Sequence, residues 1–225
     1  MQDGDFGRDV AGIGALADDV RRELYLFVSG QPEPVSRDQA AAALDVPRHQ
    51  AKFHLDRLEE AGLLEADYVR LTGRSGPGAG RPAKVYRRTD EEISVSLPGR
   101  EYALAGELMA EAITRSAGTG TPITDALAEV AHERGATIGA AVQAEGSPLA
   151  IAVEALARFG YEPRLEDGRM VMANCPFHVL AETHTELVCQ MNHALLGGIC
   201  DRVGGLRADL EPAEGRCCVV LTAAG

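Results

Sequence analysis

Between residues 36 and 63 the chain specifies two short helices around an enforced turn, and little else tolerates that arrangement. Ser36-Arg37-Asp38-Gln39 sets a hydroxyl at a helix start and an amide three residues on, the reciprocal pairing of a capping box. The Ala-rich run behind it extends to about Leu44, where Asp45-Val46-Pro47 makes a turn. Pro47 suits the start of a further helix, because the amide hydrogen it lacks has no partner in a first turn. Phe53, Leu55, Leu58 and Leu63 are read as the apolar face of that helix, which ends at Gly62. Upstream, Leu16, Val20, Leu24, Phe27 and Val28 recur at helical spacing until Gly30, Pro32 and Pro34 stop them. Residues 1–14 show no period and are expected to form a frayed arm.

Two extended stretches follow, 64–72 and 82–89, joined by a Gly-rich segment that predicts a hairpin with a mobile basic tip. Six basic and no acidic residues fall within 70–88. The helix after Pro47 opens with Arg48, His49, Gln50, Lys52 and His54 and keeps Asp56, Glu59 and Glu60 for later turns. That polarity suits a helix whose first turns enter a DNA major groove, with Arg74, Arg81 and Lys84 of the hairpin on phosphates. A solvated helix face and a loop with incidental arginines explain the same residues separately. Taken in order, VSRDQAAAALDVPRHQAKFHLDRLEEAGLLEADYV and GAGRPAKVYRRT resemble the winged-helix domain of the ArsR and DeoR type of bacterial regulators. The resemblance covers about residues 16–90 and implies a winged helix-turn-helix that binds a double-stranded DNA operator.

A net charge of -12 argues against nucleic acid until it is divided. Residues 1–90 hold 13 basic and 15 acidic side chains, so most of the acidity lies in the remainder of the 225 residues. Recognition depends on the local field rather than the total. The chain has no leader-like start and no apolar run of membrane-spanning length, so a cytoplasmic location away from membrane is expected.

Beyond residue 97 two amphipathic helices are expected, Arg100 to Ser116 and Pro122 to Ala144, with a turn at 118–121. Ala103, Ala105, Gly106, Ala110 and Ala112 permit close packing, against either a second copy or the same chain. A helix to Phe159 precedes a hairpin on Asp167-Gly168, a long helix to about Val203, and strands at 206–211 and 216–222. The sequence therefore predicts an α+β chain. Its parts are a winged helix-turn-helix over 16–90, a helical linker or dimerisation segment over 97–145, and a cysteine-containing α+β sensory domain over 146–223.

All five cysteines lie beyond residue 174, an odd number that suits reduced thiols or ligands better than a disulfide framework. Cys175, Cys189 and Cys217 sit on three different elements that can converge, Cys175 where helix-start N–H groups favour a thiolate. Cys200 stands about 16 Å along a helix from Cys189 unless Gly197-Gly198 interrupts it. Cys218 faces away from Cys217 if their strand is regular. A buried cysteine is otherwise an inert small hydrophobe. NCPFHVLAETHTELVCQMNHALLGG and RCCVVL are similar to the C-terminal domain of iron–sulfur regulators related to the Suf-operon repressor. That likeness implies a homodimeric repressor holding a [4Fe-4S] cluster by Cys175, Cys189 and Cys217, with His193 or His178 open as a fourth ligand. The interval between Cys175 and Cys189 is 13 residues, one longer than the family's, while the 27 between Cys189 and Cys217 match it. Zinc, direct thiol oxidation, or a small ligand with no metal remain as alternatives. An enzyme with Cys175 as nucleophile and His178 or His184 as base is not expected, since no orienting motif accompanies them.

Overall fold

The computed structural model describes residues 3–70, 82–143 and 146–224. The chain divides into two compact units, Gln2–Val95 and Ser96–Gly225.

In the first unit, α1 (Asp3–Ala15) and α2 (Asp19–Ser29) precede β1 (Val35–Ser36), α3 (Arg37–Ala43), α4 (Arg48–Glu60), β2 (Leu64–Val69) and β3 (Ala83–Arg88). The expected frayed arm is a helix over most of its length. One of its glycines serves packing: Gly12 is buried, and a Cβ there would meet the Ile93 side chain at 3.2 Å. The apolar series from Leu16 yields a helix only from Asp19, because Asp18 caps α2 by accepting from the Arg21 N–H at 2.9 Å. Ser36 and Gln39 close the capping box on α3, and α4 ends with Gly62 at φ 74°, a left-handed position that favours glycine. The strands form an antiparallel sheet in the order β1-β3-β2, with Val35 opposite Tyr86 and Glu65 opposite Arg87. Leu24, Val28, Ala51, Leu55, Leu58 and Tyr86 are its buried centre. Helices α2 to α4 with the β2–β3 pair make a winged helix-turn-helix.

The second unit runs α5 (Tyr102–Thr119), α6 (Ile123–Ala141), α7 (Pro148–Ala157), β4 (Pro163–Glu166), β5 (Arg169–Met172), α8 (His178–Thr183), α9 (Thr185–Val203), β6 (Leu206–Leu210) and β7 (Val219–Ala223). Residues 97–145, read above as a linker or dimerisation segment, fold within this unit, and α5 and α6 share one core with α9 and the sheet. Gly197-Gly198 does not interrupt α9. A Cβ on Gly198 would overlap the His132 carbonyl, and one on Gly135 the Leu195 carbonyl, so glycine lets the α6 and α9 backbones meet. The sheet is antiparallel in the order β4-β5-β7-β6. Asp167 and Gly168 turn the β4–β5 hairpin with φ of 49° and 79°, the two positive values of a type I′ turn. Strand β7 begins at Val219, so Cys217 and Cys218 lie in the irregular chain that enters it.

Candidate functional site

Helix α4 packs Ala51, His54, Leu55 and Leu58 inward. Arg48, His49, Lys52 and Phe53 are exposed and Gln50 is partly so. Four of the five groove-facing candidates on this helix thus reach solvent. His54 does not: it is buried, with Nδ1 3.8 Å from an Asp18 carboxylate oxygen and no hydrogen bond. The helical phase that carries Leu55 and Leu58 inward takes His54 with them, which removes it from the exposed set.

Phe53 shows the converse. Read from the sequence as core, it is 54% exposed, and the Arg57 guanidinium lies 5.8 Å over its ring.

Arg48 donates to Asp38 on α3 at 2.8 Å, and Lys52 to Asp56 at 3.0 Å. Both cations keep more than half of their side-chain surface in solvent. Exposed pairs of this kind contribute little to stability. Arg37 joins them at the mouth of a cleft of about 520 Å³ between the start of α3, α4 and the β2–β3 pair, where Tyr68 also faces solvent. Neither Arg37 nor Tyr68 was marked in the sequence, since each becomes a neighbour of α4 only through the fold.

Lys84 is also placed differently from its expected role on phosphate. Its ammonium donates to Asp56 at 3.0 Å and to Glu59, and stands 5.1 Å over the Tyr86 ring. The Tyr86 hydroxyl donates to the same Asp56 at 2.8 Å. Burial pushes the Asp56 carboxyl up, but the bonds from Lys84, Tyr86 and Lys52 outweigh it and bring it down to about 2. Burial likewise opposes the Lys84 charge, and the bonds to Glu59 and Asp56 more than restore it. Lys84 thus ties β3 to α4. Arg74 and Arg81, the other hairpin candidates, lie outside the described residues.

Residues 16–66 match the family model of a helix-turn-helix domain. That match supports a DNA-binding regulator whose N-terminal unit carries a helix-turn-helix domain. No curated protein and no solved structure matches the chain. Among the described residues no helix is long and apolar enough to cross a membrane.

In the second unit four of the five thiols are neighbours. Cys175 follows β5, Cys189 lies on α9, and Cys217 with Cys218 precedes β7. Each thiol perturbs the next electrostatically, Cys175 with Cys217, Cys217 with Cys218, and Cys218 with Cys189. Backbone bonds hold the segments: the Cys217 N–H donates to the Met172 carbonyl at 2.9 Å, and Arg100 donates to the Cys175 carbonyl at 3.2 Å. Asn174 anchors the same corner by donating to the Gly99 and Gly160 carbonyls. The buried Asn192 amide donates to the Cys217 sulfur at 3.2 Å, while the Tyr161 hydroxyl donates to the Asn192 oxygen. Cys218 joins the other thiols because the backbone bends there, so strand alternation does not apply.

The interaction with Cys217, then burial, pushes the Cys175 thiol far up, and together they outweigh the lowering by the Phe177 N–H at the helix start. At Cys217 the interaction with Cys175 lowers the thiol, but that with Cys218 and burial carry it up to about 11. Burial raises Cys189.

Cys200 is set apart. It is buried farther along the unbroken α9, and desolvation pushes it up to about 12. The two histidines weighed as a fourth ligand are engaged elsewhere: His193 Nε2 lies 3.0 Å from the Ala208 carbonyl oxygen, and exposed His178 pairs with Glu182 at 3.3 Å. Among the described residues no three His, Cys, Asp or Glu side chains close around one point as a metal ion needs; the four thiols run as a chain.

Proposed function

We propose that this DNA-binding regulator is a cytoplasmic, homodimeric repressor whose operator affinity is set by an iron–sulfur cluster on the C-terminal thiols. The neighbourhood of Cys175, Cys189, Cys217 and Cys218 is the observation that carries the reading. The donor set is all sulfur, the ligand chemistry that [4Fe-4S] clusters take, and Cys218 supplies the fourth thiol in place of either histidine. When bound, a cluster supplies a centre whose charge and integrity answer to iron, sulfide and oxidants. The protein's own contribution is to bring two loops and a helix together and to hold the Cys217 sulfur with the Asn192 amide.

At the DNA end, Arg48 and Lys52 exchange their carboxylate partners for phosphates, and Gln50 presents an amide able to pair bidentately with adenine. Two copies are needed because an operator with paired half-sites calls for paired recognition helices.

Purification without oxygen, followed by iron and acid-labile sulfide analysis and a gel shift with and without the chelated metal, tests the reading. Iron with sulfide and a change in DNA affinity on their removal are expected. The adjacency of the thiols favours a second reading, zinc binding or disulfide formation at the same residues. Zinc without sulfide, or an affinity that follows thiol oxidation alone, selects it.

A further inference from the structure

The face of α4 opposite buried Ala51, Leu55 and Leu58 carries His49, Phe53, Asp56 and Glu60. Three of the four are hydrogen-bonding side chains, and their charges are partly taken up nearby: Asp56 by Lys84 and Tyr86, Glu60 by Arg57 at 2.9 Å. The fourth is an aromatic ring with no polar atom, 54% exposed in the second turn of the recognition helix.

Its ring stands edge-on to buried His54, with centroids 5.3 Å apart at 71°, and carries the Arg57 guanidinium over its face. Contacts on two sides hold the ring in one orientation. Exposed Lys52 precedes it and Arg57 covers one side, supplying cations for phosphate, while the ring itself calls for an apolar feature on the occupant. In the DNA major groove one base edge offers that feature, the C5-methyl group of thymine, and a phenyl ring is among the side chains that contact it.

We propose that Phe53 is a specificity-determining residue that reads a thymine methyl group. This rests on α4 being the recognition helix of a DNA-binding regulator and adds what the polar side chains of that helix do not supply. The contact buries methyl surface and makes no hydrogen bond. It therefore separates thymine from uracil, which has the same hydrogen-bonding edge without the methyl.

The test begins with selection of bound duplexes from a random pool by the full chain and by its Phe53→Ser, Phe53→Leu and Leu26→Ala variants. Each thymine of the enriched sequence is then replaced by deoxyuridine, and affinity is read by anisotropy. Burial of one methyl group corresponds to about a fourfold change in affinity. The wild-type chain is expected to lose about that factor at one thymine, Phe53→Leu to retain part of the discrimination and Phe53→Ser none. Leu26, exposed on α2, serves as the control and its variant is expected to match wild type.

A Phe53→Ser variant with the wild-type consensus and thymine-to-uracil ratio overturns the inference while leaving DNA binding intact. So does a Phe53→Ser variant that changes only self-association in sedimentation, since the ring then docks on protein. Enrichment of no sequence by the wild-type chain overturns both the inference and the DNA-binding reading beneath it.

Discussion

The Asn192 side-chain amide points its N–H at the Cys217 sulfur across 3.2 Å, in a site where neither residue touches solvent. A buried amide donor aimed at sulfur is best satisfied when that sulfur carries negative charge, the state of a ligated thiolate. Tyr161 fixes the amide by donating to its oxygen, so the donor cannot rotate away.

Asn192→Leu removes this donor and leaves the Tyr161 hydroxyl unpaired, at a cost of about 1–3 kcal/mol to the C-terminal unit. The expected result is a lower melting temperature of metal-free protein and, separately, a shifted visible spectrum of the loaded form. Tyr161→Phe, which leaves the amide in place, is expected to move the spectrum less. Equal spectra for wild type and Asn192→Leu would assign the bond to packing alone.

Asp56 gives a pH dependence to the N-terminal unit. Its folded pKa of about 2 lies below the ordinary carboxylate value, so its stabilisation is fully present above about pH 4 and is lost as pH falls through about 2. The depression corresponds to roughly 2 kcal/mol. Asp56→Asn is expected to remove about that much stability at neutral pH and to flatten this part of the acid unfolding curve. Urea unfolding from pH 2 to pH 7, read on the N-terminal unit, measures both. An unchanged acid limb would mean that the Lys84 network does not hold β3 to α4.

Much of this architecture was legible in the sequence because it is written locally. The capping box at Ser36 and Gln39, the turn at Asp45-Val46-Pro47 and the Asp167-Gly168 hairpin each depend on a few adjacent residues. Placement that depends on phase or on distant backbone was harder to read. Phe53 and His54 are neighbours, and apolar character alone assigns the wrong one to the core; the phase set by Leu55 and Leu58 decides. Gly197 and Gly198 left a break in the long helix open, yet Gly198 provides clearance for α6, a partner over fifty residues away in sequence. Lys84 looked like a free phosphate contact because its acids, Asp56 and Glu59, lie on another element. Cys218 was set aside by strand alternation that begins one residue too late to govern it.

The cysteine variants follow from the same geometry. Cys175→Ala, Cys189→Ala and Cys217→Ala are each expected to abolish an iron-dependent chromophore in protein purified without oxygen, and Cys218→Ala to weaken it. Cys200→Ala should leave it intact, because Cys200 lies about 16 Å along α9 from Cys189. A chromophore lost only in the Cys200 variant would contradict this ligand set.

The most direct measurement is DNA affinity in the two states of one preparation. Protein purified without oxygen is bound to a selected duplex by anisotropy over a range of salt, before and after iron is removed by chelation. Expected are iron with acid-labile sulfide, an affinity that differs by about tenfold between the two forms, and a salt slope that shrinks when Arg48 and Lys52 are replaced by Ala. The same affinity in both forms, or protein free of iron and sulfide, would contradict it.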